Sequence, residues 1–168
     1  MRKLEYYVSQ FGRLGPVEFA AQYGRPAFVA KGIAGEVQDQ SSGKKGTLKM
    51  SISNLMVSES LTDRVWLVTK SDSTEPGVTG GRGSDNDIVI PEYTISNRHF
   101  CIHFEPFRLV LMDLDSTNGT FVGDKRLVPF QRAPLKNEAV VRFGRYQFDF
   151  VTRAGFLACV EAAAKPSR

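Results

Sequence analysis

Three short stretches hold the side chains of this sequence best suited to chemistry: Gly80-Gly81-Arg82-Gly83-Ser84-Asp85-Asn86, Thr94-Ile95-Ser96-Asn97-Arg98-His99 and Asp115-Ser116-Thr117-Asn118-Gly119-Thr120. A guanidinium offers a planar fork of donors to phosphate oxygens, hydroxyls and amides add neutral donors, and glycines let backbone N–H groups come close. The ligand that matches this set is an anion, phosphate above all. Taken singly, each stretch also reads as an ordinary turn, because Ser, Thr, Asn and Gly are turn formers in their own right.

Loops of this kind need a rigid frame to gather them. From Val65 onward the sequence predicts one, with short strands at residues 65–69, 87–90, 99–105, 107–113, 139–143 and 145–151. Strands at such close spacing predict an all-β sandwich or barrel. The run His99-Phe100-Cys101-Ile102-His103-Phe104 alternates strictly. Phe100, Ile102 and Phe104 are therefore expected on the core face, with His99, Cys101 and His103 on the other.

Residues 1–64 read as an accessory segment of mixed α/β character. A short helix is expected over residues 17–23, with Pro16 at its start and Gly24 just past its end. Apolar runs at 26–31 and 47–57 predict strands, separated by a polar loop at 38–46. After the β-rich domain, placed at 65–151, the alanine-rich tail 152–168 predicts a short helix over 154–165, with Phe156, Leu157 and Val160 at helical spacing and Pro166 as its stop.

Composition narrows the function classes. The chain of 168 residues is 42% hydrophobic and 24% charged, an ordinary globular balance. Its 22 Lys and Arg against 18 Asp and Glu give only +4, with no basic run longer than a pair, so nucleic acid is not an expected partner. No stretch approaches membrane-spanning length and no apolar run follows the charged start, so the expected setting is cytoplasmic, without a membrane partner. Cys101 and Cys159 form no paired framework. His99, Cys101 and His103 fall short of a four-ligand zinc site, and a Cys-His pair here lacks an orienting third group. No metal, cofactor or catalytic residue is expected.

The order of the three stretches carries more than any one of them. Gly81-Arg82, then Ser96-Asn97-Arg98-His99, then Ser116-Thr117-Asn118-Gly119-Thr120 resembles the pattern Gly-Arg, Ser-x-x-His, Ser-x-Asn-Gly-Thr of the forkhead-associated (FHA) family. The likeness spans about half the chain and departs from the family's usual residues at Phe121-Val122-Gly123-Asp124 and Glu138-Ala139. It implies a β-sandwich of about eleven strands that reads phosphothreonine in an extended peptide through loops at one edge. By that resemblance Arg82, Ser96 and Asn97 bind the phosphate, Asn118 and Thr117 bind the peptide, and Gly81, His99 and Gly119 hold the site in shape.

The function so implied is a phosphothreonine-binding adaptor in Ser/Thr kinase signalling, with the partner phosphorylated by a separate kinase, since the sequence carries no kinase signature. Self-recognition through Thr62 or Thr69 is disfavoured because Thr69 is expected within a strand, where backbone is hard to present as a ligand. The alternative is an FHA fold used as a phosphate-independent interaction or assembly module.

Overall fold

The computed structural model describes residues 1–34, 61–71 and 76–165. The loop expected at 38–46, the strand expected at 47–57 and Pro166 lie outside the described residues. Among the described residues, twelve strands form two sheets. The seven-stranded sheet runs in the order β1 (Arg2–Lys3), β3 (Arg64–Leu67), β2 (Ala27–Ile33), β12 (Tyr146–Val151), β11 (Ala139–Phe143), β8 (Thr120–Val122), β9 (Lys125–Arg126). The five-stranded sheet runs β10 (Arg132–Leu135), β7 (Arg108–Asp113), β6 (Phe100–Glu105), β4 (Val78–Gly81), β5 (Ile88–Val89). Every pairing is antiparallel except β4 with β5.

Sequence alternation puts one apolar face of each sheet against the other. Phe28 on β2, Phe100 on β6, Phe143 on β11 and Phe148 and Phe150 on β12 are fully buried between the sheets. The rings of Phe100 and Phe143 stack at 4.0 Å and 9°, which joins the two sheets directly. Gly80 is required by the same contact, because a Cβ there would run into the Phe100 ring.

The four residues from Ala27 to Ala30 are all buried, so this first half of β2 has no solvent face. The reason is a second core on the outside of the seven-stranded sheet. There Ala27, Val29, Val65 and Val151 meet Tyr7 and Phe19 of α1 (Leu4–Tyr23) and Phe156 and Val160 of α2 (Arg153–Ala164). Helix α2 starts at Thr152, whose hydroxyl accepts from the Gly155 N–H at 3.2 Å. Helix α1 breaks at Gly15, whose φ of 74° only glycine adopts readily, and restarts on Pro16. The expected short helix is the second arm of this element; the first arm, residues 4–14, was not expected.

Three further expectations are corrected. The strand β2 sits between β3 and β12, so the sandwich takes a strand from the segment read as accessory. Phe104 is 58% exposed instead of core-facing, because β6 runs past the end of the sandwich there and pairs with Leu109 in the outlying β6–β7 hairpin. Thr69 lies beyond the end of β3 and is exposed, its hydroxyl donating to the Leu67 carbonyl at 3.2 Å.

Candidate functional site

The three polar stretches meet at one end of the sandwich. The segment after β4 and the loop before β6 run side by side: the Arg82 N–H donates to the Ser96 carbonyl at 2.9 Å, and the Gly83 N–H to the Asn97 carbonyl at 3.0 Å. Their approach depends on Gly81, where a Cβ would strike the Asn97 carbonyl. Asn86 closes the same corner, its amide donating to the carbonyls of Gly83 at 2.8 Å and Asn97 at 2.6 Å.

The third stretch is shaped from below by Asp113 at the end of β7. Its buried carboxylate accepts from the Ser116 N–H at 2.9 Å, the Ser116 hydroxyl at 2.6 Å and the Thr120 hydroxyl at 2.5 Å. That tight turn brings Gly119 to a φ of 83°, a left-handed value that favours glycine.

His99 ties the second stretch to the third. Its Nδ1 accepts from the Ser96 N–H at 3.0 Å, so the ring proton sits on Nε2, which donates to the Gly119 carbonyl at 3.3 Å. The ring is fully buried and packs on Phe143 at 5.6 Å, which connects the loops to the core. His99 therefore does not share a face with Cys101 and His103, which lie together against Gly77. Among the described residues no group of three His, Cys, Asp or Glu is placed to hold a metal.

Burial disfavours the imidazolium and lowers the His99 pKa from its ordinary 6.5, with the Asp113 charge and the Gly119 carbonyl acting the other way. As pH falls below the ordinary value, the unfolded chain takes up this proton before the folded one does. The stabilising contribution of neutral His99 is thus whole above about pH 6.5 and declines as pH falls through the folded value. His99→Ala is expected to lower stability by about 1–3 kcal/mol at pH 8 through two lost hydrogen bonds and an orphaned Ser96 N–H. In urea melts the gap between variant and wild type should narrow toward pH 5; a gap that widens would contradict the neutral, proton-on-Nε2 ring.

Between the loops lies a cleft of about 280 Å³ lined by Arg82, Ser96, Asn97, Thr117 and Asn118, with Tyr93, Thr94 and Ile95. All five expected contact residues are brought together. The lining carries one cation, Arg82, and no carboxylate. Only the Nε of Arg82 is engaged, donating to the Ile95 carbonyl at 3.3 Å, which aims the guanidinium and leaves its two terminal nitrogens uncommitted among the described residues. The Ser96 hydroxyl accepts from the Thr117 N–H at 3.1 Å, and Asn118 donates to the Thr94 carbonyl at 2.7 Å.

Thr94 is itself held by Glu92, which sequence reasoning missed. The fully buried Glu92 carboxylate accepts from the Thr94 N–H at 2.9 Å and from its hydroxyl, and takes the Arg145 guanidinium at 2.9 Å. The signal lay in a lone glutamate between Pro91 and Tyr93, the one acid in the loop from Ile90 to His99. Asp113 was likewise placed only in a strand, although an acid just before a Ser-Thr-Asn-Gly turn is a natural acceptor for that turn's donors.

A sandwich with its three polar loops gathered in this order around a cationic cleft at one end has the architecture that the resemblance to the FHA family implies. Residues 78–144 match the family model of the FHA domain. The glycogen accumulation regulator GarA of Mycolicibacterium smegmatis is 32% identical over 78 residues, which cover 46% of this chain and 48% of that protein. GarA of Mycobacterium tuberculosis is 32% identical over 74 residues, 44% of each chain. The chain thus matches about half the length of these curated relatives. Among solved structures, the N-terminal FHA domain of Rad53p from Saccharomyces cerevisiae, in complex with a phosphothreonine peptide, aligns with a TM-score of 0.46 at 19% identity, covering 57% of this chain and 90% of that one.

Proposed function

We propose that this chain is a phosphothreonine-binding adaptor: it docks a partner that a separate Ser/Thr kinase has phosphorylated, and catalyses no reaction itself. The observation that carries the reading is the convergence of Arg82, Ser96, Asn97, Thr117 and Asn118 on one uncompensated cationic cleft. Arg82 and Ser96 bind the phosphate with help from Asn97, while Asn118 and Thr117 hold the peptide on either side of the phosphothreonine. Gly81, His99 and Gly119 keep the three loops at the spacing the phosphate needs. Glu92 and Asp113 brace the loops from beneath. The match to the FHA family and the likeness to a protein named as a regulator support a place in signalling. As to domains, we take the folding unit to begin at Ala27 and end at Val151, with α1 and α2 as its outer layer.

The test is calorimetry with one peptide in three forms. The phosphothreonine form is expected to bind, the phosphoserine form more weakly, and the unmodified form not at all. Equal binding of phosphothreonine and unmodified peptide would sink this reading in favour of a phosphate-independent assembly module.

A further inference from the structure

The end of the sandwich opposite the cleft carries a second surface that phosphate recognition does not use. Strands β6 and β7 start and end at the cleft loops, and their hairpin turn lies five residues along, roughly 17 Å away at the usual rise per strand residue. Phe107 at that turn is 101% exposed and Phe104 beside it is 58% exposed, although phenylalanine is among the most buried residue types. Next to them opens a groove of about 760 Å³, with Leu109, Pro134, Leu135 and Pro26 forming its apolar walls. Nothing among the described residues covers either ring.

Positive charge predominates around this groove. Arg108, Lys136 and Arg153 line it, against a single carboxylate, Glu105. That carboxylate is already engaged by Arg108 at 2.6 Å and by Arg132 at 3.2 Å. The nearest edge strand, β10, contains Pro134, which lacks a backbone donor, so a partner is not recruited by adding a strand to the sheet. Three cations spaced around an apolar hollow suit a few carboxylates flanking a hydrophobic side chain better than a continuous polyanion.

We propose that this groove is a docking site for a protein partner, through an unphosphorylated segment that seats one apolar side chain between Phe107 and the Leu109–Pro134 wall and lays Asp or Glu residues against Lys136 and Arg153. Such a surface is independent of the phosphate cleft, so one partner can engage both ends or two partners can be held at once, with the gain in avidity that linkage brings.

The test uses the whole chain as bait for a displayed library of random, unphosphorylated peptides. Enriched sequences are expected to share an aromatic or aliphatic anchor flanked by acidic residues. A synthetic copy is expected to bind at least about tenfold more weakly to Phe107→Ser and to the double variant Lys136→Glu/Arg153→Glu, a loss typical of an anchor or a charge reversal at an interface. Arg82→Ala should bind it as wild type does, which separates this site from the phosphate cleft. All of the altered side chains are exposed, and unchanged thermal melting of each variant confirms the fold. The proposal is overturned if no sequence family is enriched, if the enriched peptides lack acidic residues, or if binding ignores both substitutions. It is equally overturned if Phe107→Ser instead abolishes self-association in sedimentation, binding to anionic lipid vesicles or binding to single-stranded RNA, each of which would assign the groove a different occupant.

Discussion

Arg82→Ala is expected to abolish measurable binding of a phosphothreonine peptide while leaving the protein as stable as before. The side chain is exposed and its one hydrogen bond among the described residues, from Nε to the Ile95 carbonyl, only aims it. The backbone bond that joins the two loops, from the Arg82 N–H to the Ser96 carbonyl, survives the substitution. Stability should therefore change by no more than about 0.5 kcal/mol, as at other surface positions. Binding is another matter. Hydrogen bonds to charged groups contribute about 1.5–3 kcal/mol each, so losing two from the guanidinium fork weakens binding by a factor of roughly 150 or more. Arg82→Lys should fall between, keeping the charge but not the fork. Calorimetry beside a thermal melt reads both quantities, and an alanine variant with unchanged affinity would remove Arg82 from the site.

Phe143→Ala should have the largest effect on stability, a loss of about 3–5 kcal/mol in urea unfolding, because truncating a buried phenylalanine removes its transfer energy and leaves a cavity. Four rings surround this side chain: Phe100 stacks on it at 4.0 Å, Phe28 and Phe148 stand at 5.5 Å, and His99 at 5.6 Å. They come from both sheets and from the loop before β6, so no single neighbour can move in to fill the space without leaving another contact. The loss is about a fifth or more of the stability of a typical domain. Because His99 rests on Phe143, whatever folded protein remains should also bind phosphothreonine peptide more weakly. A stability loss below about 1 kcal/mol would show that the two sheets do not depend on this ring.

The convergence of the loops was legible in the sequence because what shapes them is local: a glycine where backbones cross at Gly81, a guanidinium beside it, a left-handed glycine at Gly119. Strands with strict alternation, such as residues 146–150 (Tyr-Gln-Phe-Asp-Phe), were legible for the same reason. Elements whose pattern is set by distant neighbours were not. Strand β4 hides its core face because Gly80 yields its place to the Phe100 ring, so no apolar alternation marks Val78–Gly81. Strand β10 contains a proline that only an edge position tolerates. The first arm of α1 is obscured by Gly12 and Gly15, although Leu4, Tyr7, Val8, Phe11 and Leu14 stand at helical spacing. Phe104 fits the alternation and breaks the expectation because the period says which face a residue takes, not whether the partner sheet extends that far. In the site itself, Glu92 and Asp113 escaped notice because a buried acceptor acts through donors that only the folded turn assembles.

The position of β2 bears on how this protein can be cut. Strands β1, β2, β3 and β12 all lie outside residues 78–144, and in the seven-stranded sheet they are neighbours on one flank. A fragment trimmed to the family match would keep Arg82, Ser96, Asn97, Thr117 and Asn118, yet expose the whole hydrogen-bonding edge of β11 and strip Phe28 and Phe148 from around Phe143. A bare strand edge above an opened apolar core is a template for aggregation. Such a fragment is expected to precipitate rather than bind, whereas one that starts before Ala27 and retains Val151 keeps the edge sealed.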